Sequence, residues 1–368
     1  KVLVAEIPIA YPLTPSTWPN NATDLDRLLT ARLRPAQHAK FLRPLRRRGR
    51  DRGVHRIVLL RNSAYGYAYL LPGGPPTAVV VGATTAGVLK KTFPSPSTPM
   101  PLNVARLDPS WTVGRDQHPE VNHRQTQHVL ILGAGALGSP VVEQLAKAGV
   151  GHITLVDPDS LVAANIGRHL LGAESIDQPK AKAVAERVNL GYPTTTVTPK
   201  VMSAEQWLQK NSLSTVDNVL DLTGESDVRR LVERARQEHS CPLLIGWMEP
   251  FAAAAHVCSL PVGTPWVLGT TDPMKSLEAV SWPSEVIRQE PGCSSRFQSY
   301  TAAAAAHAVA LVTENALKLI DKDTQAPKVT SWVRGQRFLD AHWHGLELLE
   351  WAEPATHYDG LVIERAFP

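Results

Sequence analysis

The stretch that decides the fold reads His128-Val-Leu-Ile-Leu132-Gly133-Ala134-Gly135-Ala136-Leu137-Gly138, followed after a short gap by His152-Ile-Thr-Leu-Val156-Asp157. After its histidine the first segment is continuously apolar, so a strand there must bury both faces, as in a parallel sheet covered by helices on each side. Three glycines follow with G-x-G-x-x-G spacing, directly after the strand and opening a helix over about residues 140–148. In such a turn the first glycine permits the reversal, the second lets a phosphate reach the backbone, and the third lets helix and strand pack. Unpaired amides at the helix N-terminus receive the negative charge. The pattern describes a nucleotide site and leaves the nucleotide open.

Outward from this turn the same signature repeats. His152–Val156 reads as a second buried strand, residues 216–222 and 242–247 as two more, and residues 227–238 as a helix between them. Strands alternating with helices predict an α/β fold, a Rossmann-like doubly wound and mostly parallel sheet. An alanine-rich segment over residues 301–321 predicts a late, closely packed helix. Upstream, TFPSPSTPMP at residues 92–101 sustains neither helix nor central strand, because each proline lacks an amide donor and restrains its predecessor. A boundary there leaves a smaller α+β N-terminal domain over residues 1–106, a linker or docking domain, and the nucleotide-binding domain over 107–368. Within the first, strands are expected at residues 1–9 and 56–60 and a helix at 24–33, with no motif tied to chemistry.

Bulk properties narrow the classes. The 368 residues are 43% apolar and 20% charged, with no apolar run read as a bilayer span, so a soluble protein without a membrane role is expected. The chain starts at Lys1 with nothing resembling a signal peptide after it, and it is expected to lack its natural start. Cys241, Cys258 and Cys293 show no paired spacing for disulfides or a zinc knuckle, which suits a reducing cytoplasm. The net charge of +4 conceals one basic segment: residues 31–56 hold ten Lys or Arg against one Asp. No aromatics interleave with the arginine run from Arg43 to Arg52, so a solvated face is favoured over nucleic-acid binding.

Asp157 stands where an acidic residue meets a ribose, which keeps a nicotinamide dehydrogenase open. Asp159, Asn165, Arg168 and Lys180 then crowd into residues 156–183. Hydride transfer has no use for that cluster. Cleavage of a nucleotide at its α-phosphate does, because charge grows on the leaving pyrophosphate and fixed cations with Mg²⁺ must meet it.

The run GAGALGSPVVEQLAKAGVGHITLVDPD at residues 133–159, NIGRH at 165–169 and QPKAKA at 178–183 resembles the adenylating domain shared by MoeB, ThiF and the ubiquitin-activating enzymes. NIGRHLLGA, with WTVGRD at 111–116, is most similar to bacterial activating enzymes encoded beside ubiquitin-conjugating-like proteins, including those of anti-phage operons. The resemblance covers roughly residues 107–321. It implies a ThiF-type adenylation domain that uses ATP and Mg²⁺, cradled by Gly133, Gly135, Ala136 and Gly138. Asp157 and Asp159 match the ribose and Mg²⁺ carboxylates, and Asn165, Arg168 and Lys180 the phosphate contacts. Arg115 matches an arginine lent to a partner's active site, which implies a homodimer. One departure is that the family's Asp-Asn pair is absent; the segment reads Asp221-Leu-Thr-Gly224-Glu225, so the metal carboxylate is displaced to Asp221 or Glu225. The CxxC zinc ligands of MoeB and ThiF are missing too.

Cys241 and Cys258 lie in apolar runs and read as core residues. Cys293 lies in a polar segment between Arg288 and Arg296, cations that favour a thiolate. The resemblance puts the thioester cysteine in a crossover segment near residues 285–300. His342 and His344 lack a third ligand, and only a supporting role is expected of His169. The resulting expectation is ATP-dependent adenylation of a ubiquitin-like protein's C-terminus, thioester formation on Cys293 and hand-over to a ubiquitin-conjugating-like protein. A sulfur-carrier adenylyltransferase, a non-catalytic scaffold subunit and an NAD-dependent dehydrogenase stay as alternatives.

Overall fold

The computed structural model describes residues 2–36, 55–62, 65–71, 99–266, 272–283, 286, 288–289, 296–297, 300–342 and 345–368. The chain divides into two compact units, Lys1–Arg106 and Leu107–Pro368.

In the first unit β1 (Val2–Pro8), β2 (His55–Arg61), β3 (Gly66–Leu71) and β4 (Met100–Leu102) form one sheet in that order. β1 and β2 run parallel and the other pairs antiparallel. The helix Ala22–Arg32 follows β1; Asn21 caps it by accepting from the Asp24 amide at 2.9 Å. Leu25 and Leu29, one helical turn apart, are fully buried with Ile7, Val58 and Leu60.

The second unit carries β5 (His128–Leu132), β6 (His152–Val156), β7 (Thr196–Lys200), β8 (Asn218–Asp221), β9 (Leu243–Met248) and β10 (Ala254–Leu260). The two-residue strands β11 (Arg288–Gln289) and β12 (Arg296–Phe297) pair with each other, and β13 (Lys328–Val333) and β14 (Leu361–Ala366) complete the set. Among the described residues the main sheet has eight strands in the order β14-β13-β10-β9-β8-β5-β6-β7. The pairings from β7 to β9 are parallel and those from β9 to β14 antiparallel.

Strand alternation divides the apolar side chains between two cores. Val129 and Ile131 join the core under the helices Gly138–Lys147, Lys180–Gly191 and Ala302–Ile320, while Leu130 and Leu132 join the core under Ala204–Lys210 and Ser226–Glu238. All four are fully buried, each contributing about 1.5–3 kcal/mol by burial. The fold is therefore an α/β doubly wound sheet, as the alternating pattern predicted. From β5 the chain moves outward through β6 and β7, then returns past β5 to β8 and β9. The winding reverses between β5 and β8, and in such sheets ligands bind in the crevice at the carboxyl ends of those strands.

The antiparallel extension departs from a uniformly parallel reading of the apolar runs. β9 reaches β10 in five residues, with Phe251 and Ala252 at positive φ and the Glu249 amide donating to Ala254 O at 2.9 Å. A connection that short permits only an antiparallel return, since parallel neighbours need a crossover of a dozen residues or more. Buried Glu249 accepts from Trp282 Nε1 at 2.6 Å, Val280 N at 3.2 Å, Ala279 N and His256 Nε2 at 2.6 Å, with Ser331 Oγ on the other imidazole nitrogen at 2.8 Å. It thus ties residues 279–282 to the sheet.

Ala302–Ile320 is long and apolar enough to cross a membrane by length and composition, a property the sequence reading had not assigned to any segment. Over half of it is buried, and Ala305, Ala308, Val309, Val312 and Ala316 belong to the core on one face of the sheet. The close approach needs Gly246 on β9, where a Cβ would stand 2.9 Å from Val312 Cγ2.

Candidate functional site

The glycine turn lies at the winding reversal. Gly133, at φ +94°, donates its amide to Val156 O at 2.9 Å, and a Cβ there would meet Leu222 O at 2.9 Å. A Cβ on Gly138 would lie 1.9 Å from Gly133 O, so no side chain fits. Gly135 differs, because a Cβ there meets nothing within 4 Å. The first and third glycines are required by the fold, whereas the second faces open space beside a helix N-terminus, where a phosphate can approach.

Three side chains fix this turn. Asp157, at the end of β6 and 6% exposed, accepts from Ala134 N at 2.7 Å and from Asp159 N at 2.9 Å. Burial raises its pKa, and the two amides partly oppose the rise. His169 Nδ1 accepts from Leu171 N at 3.1 Å, which leaves Nε2 to donate to Ala134 O at 2.6 Å. Burial lowers the pKa of His169, the bond to Ala134 opposes that, and Lys180 adds to the lowering. Ser139 Oγ donates to Gly135 O at 2.8 Å and accepts from Leu170 N at 3.2 Å. Residues 168–171 are thereby laced to the loop. The supporting role expected of His169 is what these bonds describe, although its partner Ala134 was not read from the sequence, nor was Ser139, whose only signal was its adjacency to Gly138.

Lys180 opens the helix Lys180–Gly191. Its side chain is 11% exposed and bonds Asp159 Oδ2 at 2.9 Å, and its amide donates to Asp159 O at 2.8 Å. Asn165 accepts from Val162 N at 3.3 Å and closes its own turn. Arg168 donates to Ala164 O at 3.3 Å, and its guanidinium lies 5.6 Å from the ring centre of Tyr300. Ala136, Arg168 and His169 line a cavity of about 460 Å³ whose far wall is the alanine-rich helix, at Ala302, Ala305 and Ala306.

Asp221 ends β8 directly beside Leu132 and is 1% exposed. Its Oδ1 accepts from Thr223 N at 3.0 Å and Thr223 Oγ1 at 2.7 Å, while Oδ2 is buried without a partner. Burial raises its pKa. Glu225 is exposed and donates its amide to Thr223 Oγ1 at 3.1 Å. Arg115 folds back on its own segment, bonding Trp111 O at 3.0 Å and covering the Trp111 ring. Cys241 and Cys258 are buried and their thiol pKa values are pushed up by burial. Cys293, His344 and residues 37–54, which hold most of the arginine run, lie outside the described residues.

An open second glycine, a helix N-terminus and the unpartnered Asp221 oxygen at the reversal fit a nucleotide. Among the described residues no group of three His, Cys, Asp or Glu side chains is placed to hold a metal. Mg²⁺ is usually held by one or two carboxylates together with substrate phosphates. Asp159, shared with Lys180, could offer one carboxylate, and Asp221, with its unpartnered oxygen, another.

The ThiF family pattern matches residues 115–342, more than half of the chain. The chain belongs to the ThiF family. Its ThiF-family relatives include the adenylyltransferase and sulfurtransferase UBA4 of Yarrowia lipolytica, 38% identical over 29% of this chain and 27% of that protein. The ATP-dependent ubiquitin transferase-like protein Cap2 of Pseudomonas aeruginosa is 24% identical over 60% and 41%. The sulfur carrier protein ThiS adenylyltransferase of Escherichia coli is 32% identical over 32% and 47%. The chain thus spans under half the length of each. A crystal structure of E. coli MccB with ATP is similar at 15% identity and a TM-score of 0.43, over 58% of this chain and 61% of that one.

Proposed function

We propose that this ThiF-family chain adenylates the C-terminal carboxylate of a ubiquitin-like protein with ATP and Mg²⁺. The observation that carries the reading is the pinned glycine loop, with Asp157, Lys180 and the Asp159 pair behind it and Gly135 open in front. Gly135, Ala136 and the helix amides receive the phosphates, and Asp157 meets the ribose. Lys180 and Arg168 neutralise the charge that develops on pyrophosphate as the carboxylate oxygen bonds to the α-phosphorus and the bond to the β-phosphate bridging oxygen breaks. Asn165 contacts the phosphates, Asp159 would offer Mg²⁺ a carboxylate, and Asp221 or Glu225 would replace the family's missing metal carboxylate. Cys293 then attacks the acyl carbon as thiolate and AMP departs, leaving a thioester for a conjugating-like protein. Arg115 serves the partner's site in a homodimer, residues 1–106 dock or link, and the cytoplasm is the compartment.

The UBA4 and ThiS adenylyltransferase likenesses favour a second reading, activation of a sulfur carrier, in which no thioester on Cys293 is needed. ATP/pyrophosphate exchange with a ubiquitin-like protein, run beside a thioester assay, separates the two. The first reading predicts that Arg168→Ala abolishes exchange, while Cys293→Ala spares exchange and abolishes the thioester. Exchange by wild type with no thioester at Cys293 supports the sulfur-carrier reading, and no exchange with either partner class contradicts both.

A further inference from the structure

Tyr300 immediately precedes Thr301, the cap of the helix Ala302–Ile320. The Arg168 guanidinium carbon lies over its ring, 5.6 Å from the centre, within the range in which a cation is attracted to an aromatic face. Arg168 also donates to Ala164 O within its own turn. Residues 168–170 line the cavity together with Ala302 and Ala305, so the Arg168–Tyr300 contact joins the two segments that enclose it. Burial raises the Tyr300 pKa and the neighbouring Arg168 opposes the rise. An arginine already held against an aromatic ring loses less conformational freedom when its guanidinium meets a phosphate.

We infer that Tyr300 is a positioning residue for Arg168, its ring holding the guanidinium by a cation–aromatic contact where it meets the nucleotide phosphates. The inference rests on the reading of the glycine loop as an ATP site. Tyr300 touches no phosphate itself; it lowers the ordering cost of a long side chain that must meet one. The ring is what matters and the hydroxyl is dispensable.

The test is calorimetric binding of a non-hydrolysable ATP analogue to the full chain. Tyr300→Phe should bind within about twofold of wild type, and Tyr300→Leu about three- to tenfold more weakly, the range expected of one cation–aromatic contact. In an Arg168→Ala background Tyr300→Leu should cost nothing further, because its effect passes through that guanidinium. A merely structural role would weaken binding in both backgrounds. Should Tyr300→Leu not fold, Tyr300→Met takes its place with the same expectations. Equal binding by wild type and Tyr300→Leu, or an equal loss in both backgrounds, overturns the inference. No binding by wild type overturns the ATP reading instead, so the two failures are distinguishable.

Discussion

His169 donates its Nε2 proton to the carbonyl oxygen of Ala134 over 2.6 Å while its Nδ1 accepts from the Leu171 amide. The bond from Leu171 requires the neutral ring, since an imidazolium has no acceptor, whereas the donation to Ala134 survives protonation. Burial favours that form and holds the pKa below its ordinary value of 6.5. The folded state therefore binds fewer protons than the unfolded chain, and stability rises with pH in this window. The contribution is complete above 6.5 and is lost as pH falls toward the lowered folded value. Thermal melts between about pH 8 and pH 5 should show a steeper acid loss in wild type than in His169→Gln. Identical pH slopes contradict this.

The glycines of the turn should separate folding from ligand binding. Gly138→Ala forces a carbon against Gly133 O and should lower stability by about 1–3 kcal/mol. Gly135→Ala meets no protein atom and should change stability by about 0.5 kcal/mol or less, yet weaken nucleotide binding tenfold or more, in round order of magnitude. Urea melts with binding titrations check both. An unstable Gly135→Ala contradicts the division.

How far the sequence led depends on the range of the interactions. β5 and β6 were legible to the residue, because apolar runs ended by Gly133 and Asp157 mark local events. The helix Ser226–Glu238 followed from local spacing too. The antiparallel half of the sheet was not legible. Its direction rests on a turn in which Phe251 and Ala252 adopt positive φ without being glycine. At the site, the charges after the glycine turn were visible as a group, but not that Asp159 pairs with Lys180 or that His169 and Ser139 fasten the loop. Those contacts join residues 21, 35 and 4 apart, and only folding brings the distant ones together.

Glu249 receives four donors in a dry setting, with His256 and Ser331 behind it. Removing the acceptor orphans all four. Glu249→Ala should cost at least about 3 kcal/mol of stability, and protection of the amides at residues 279–282 from hydrogen exchange should fall first. Unchanged protection there contradicts the clamp.

The Lys180–Asp159 pair should matter little to folding, because Asp159 is 64% exposed and solvent screens it. Lys180→Met is expected to change stability by about 1 kcal/mol or less. Binding of ATP should nevertheless weaken by about tenfold or more if the cation meets a phosphate, a charge-assisted contact. A large loss in melting temperature with unaltered ATP affinity contradicts that assignment.

The most direct measurement is equilibrium binding of ATP·Mg²⁺ and of NAD to the same preparation, repeated with Arg168→Ala and Lys180→Ala. The account predicts binding of ATP and not of NAD, with both substitutions weakening ATP. Preference for NAD, or ATP binding indifferent to both cations, contradicts it.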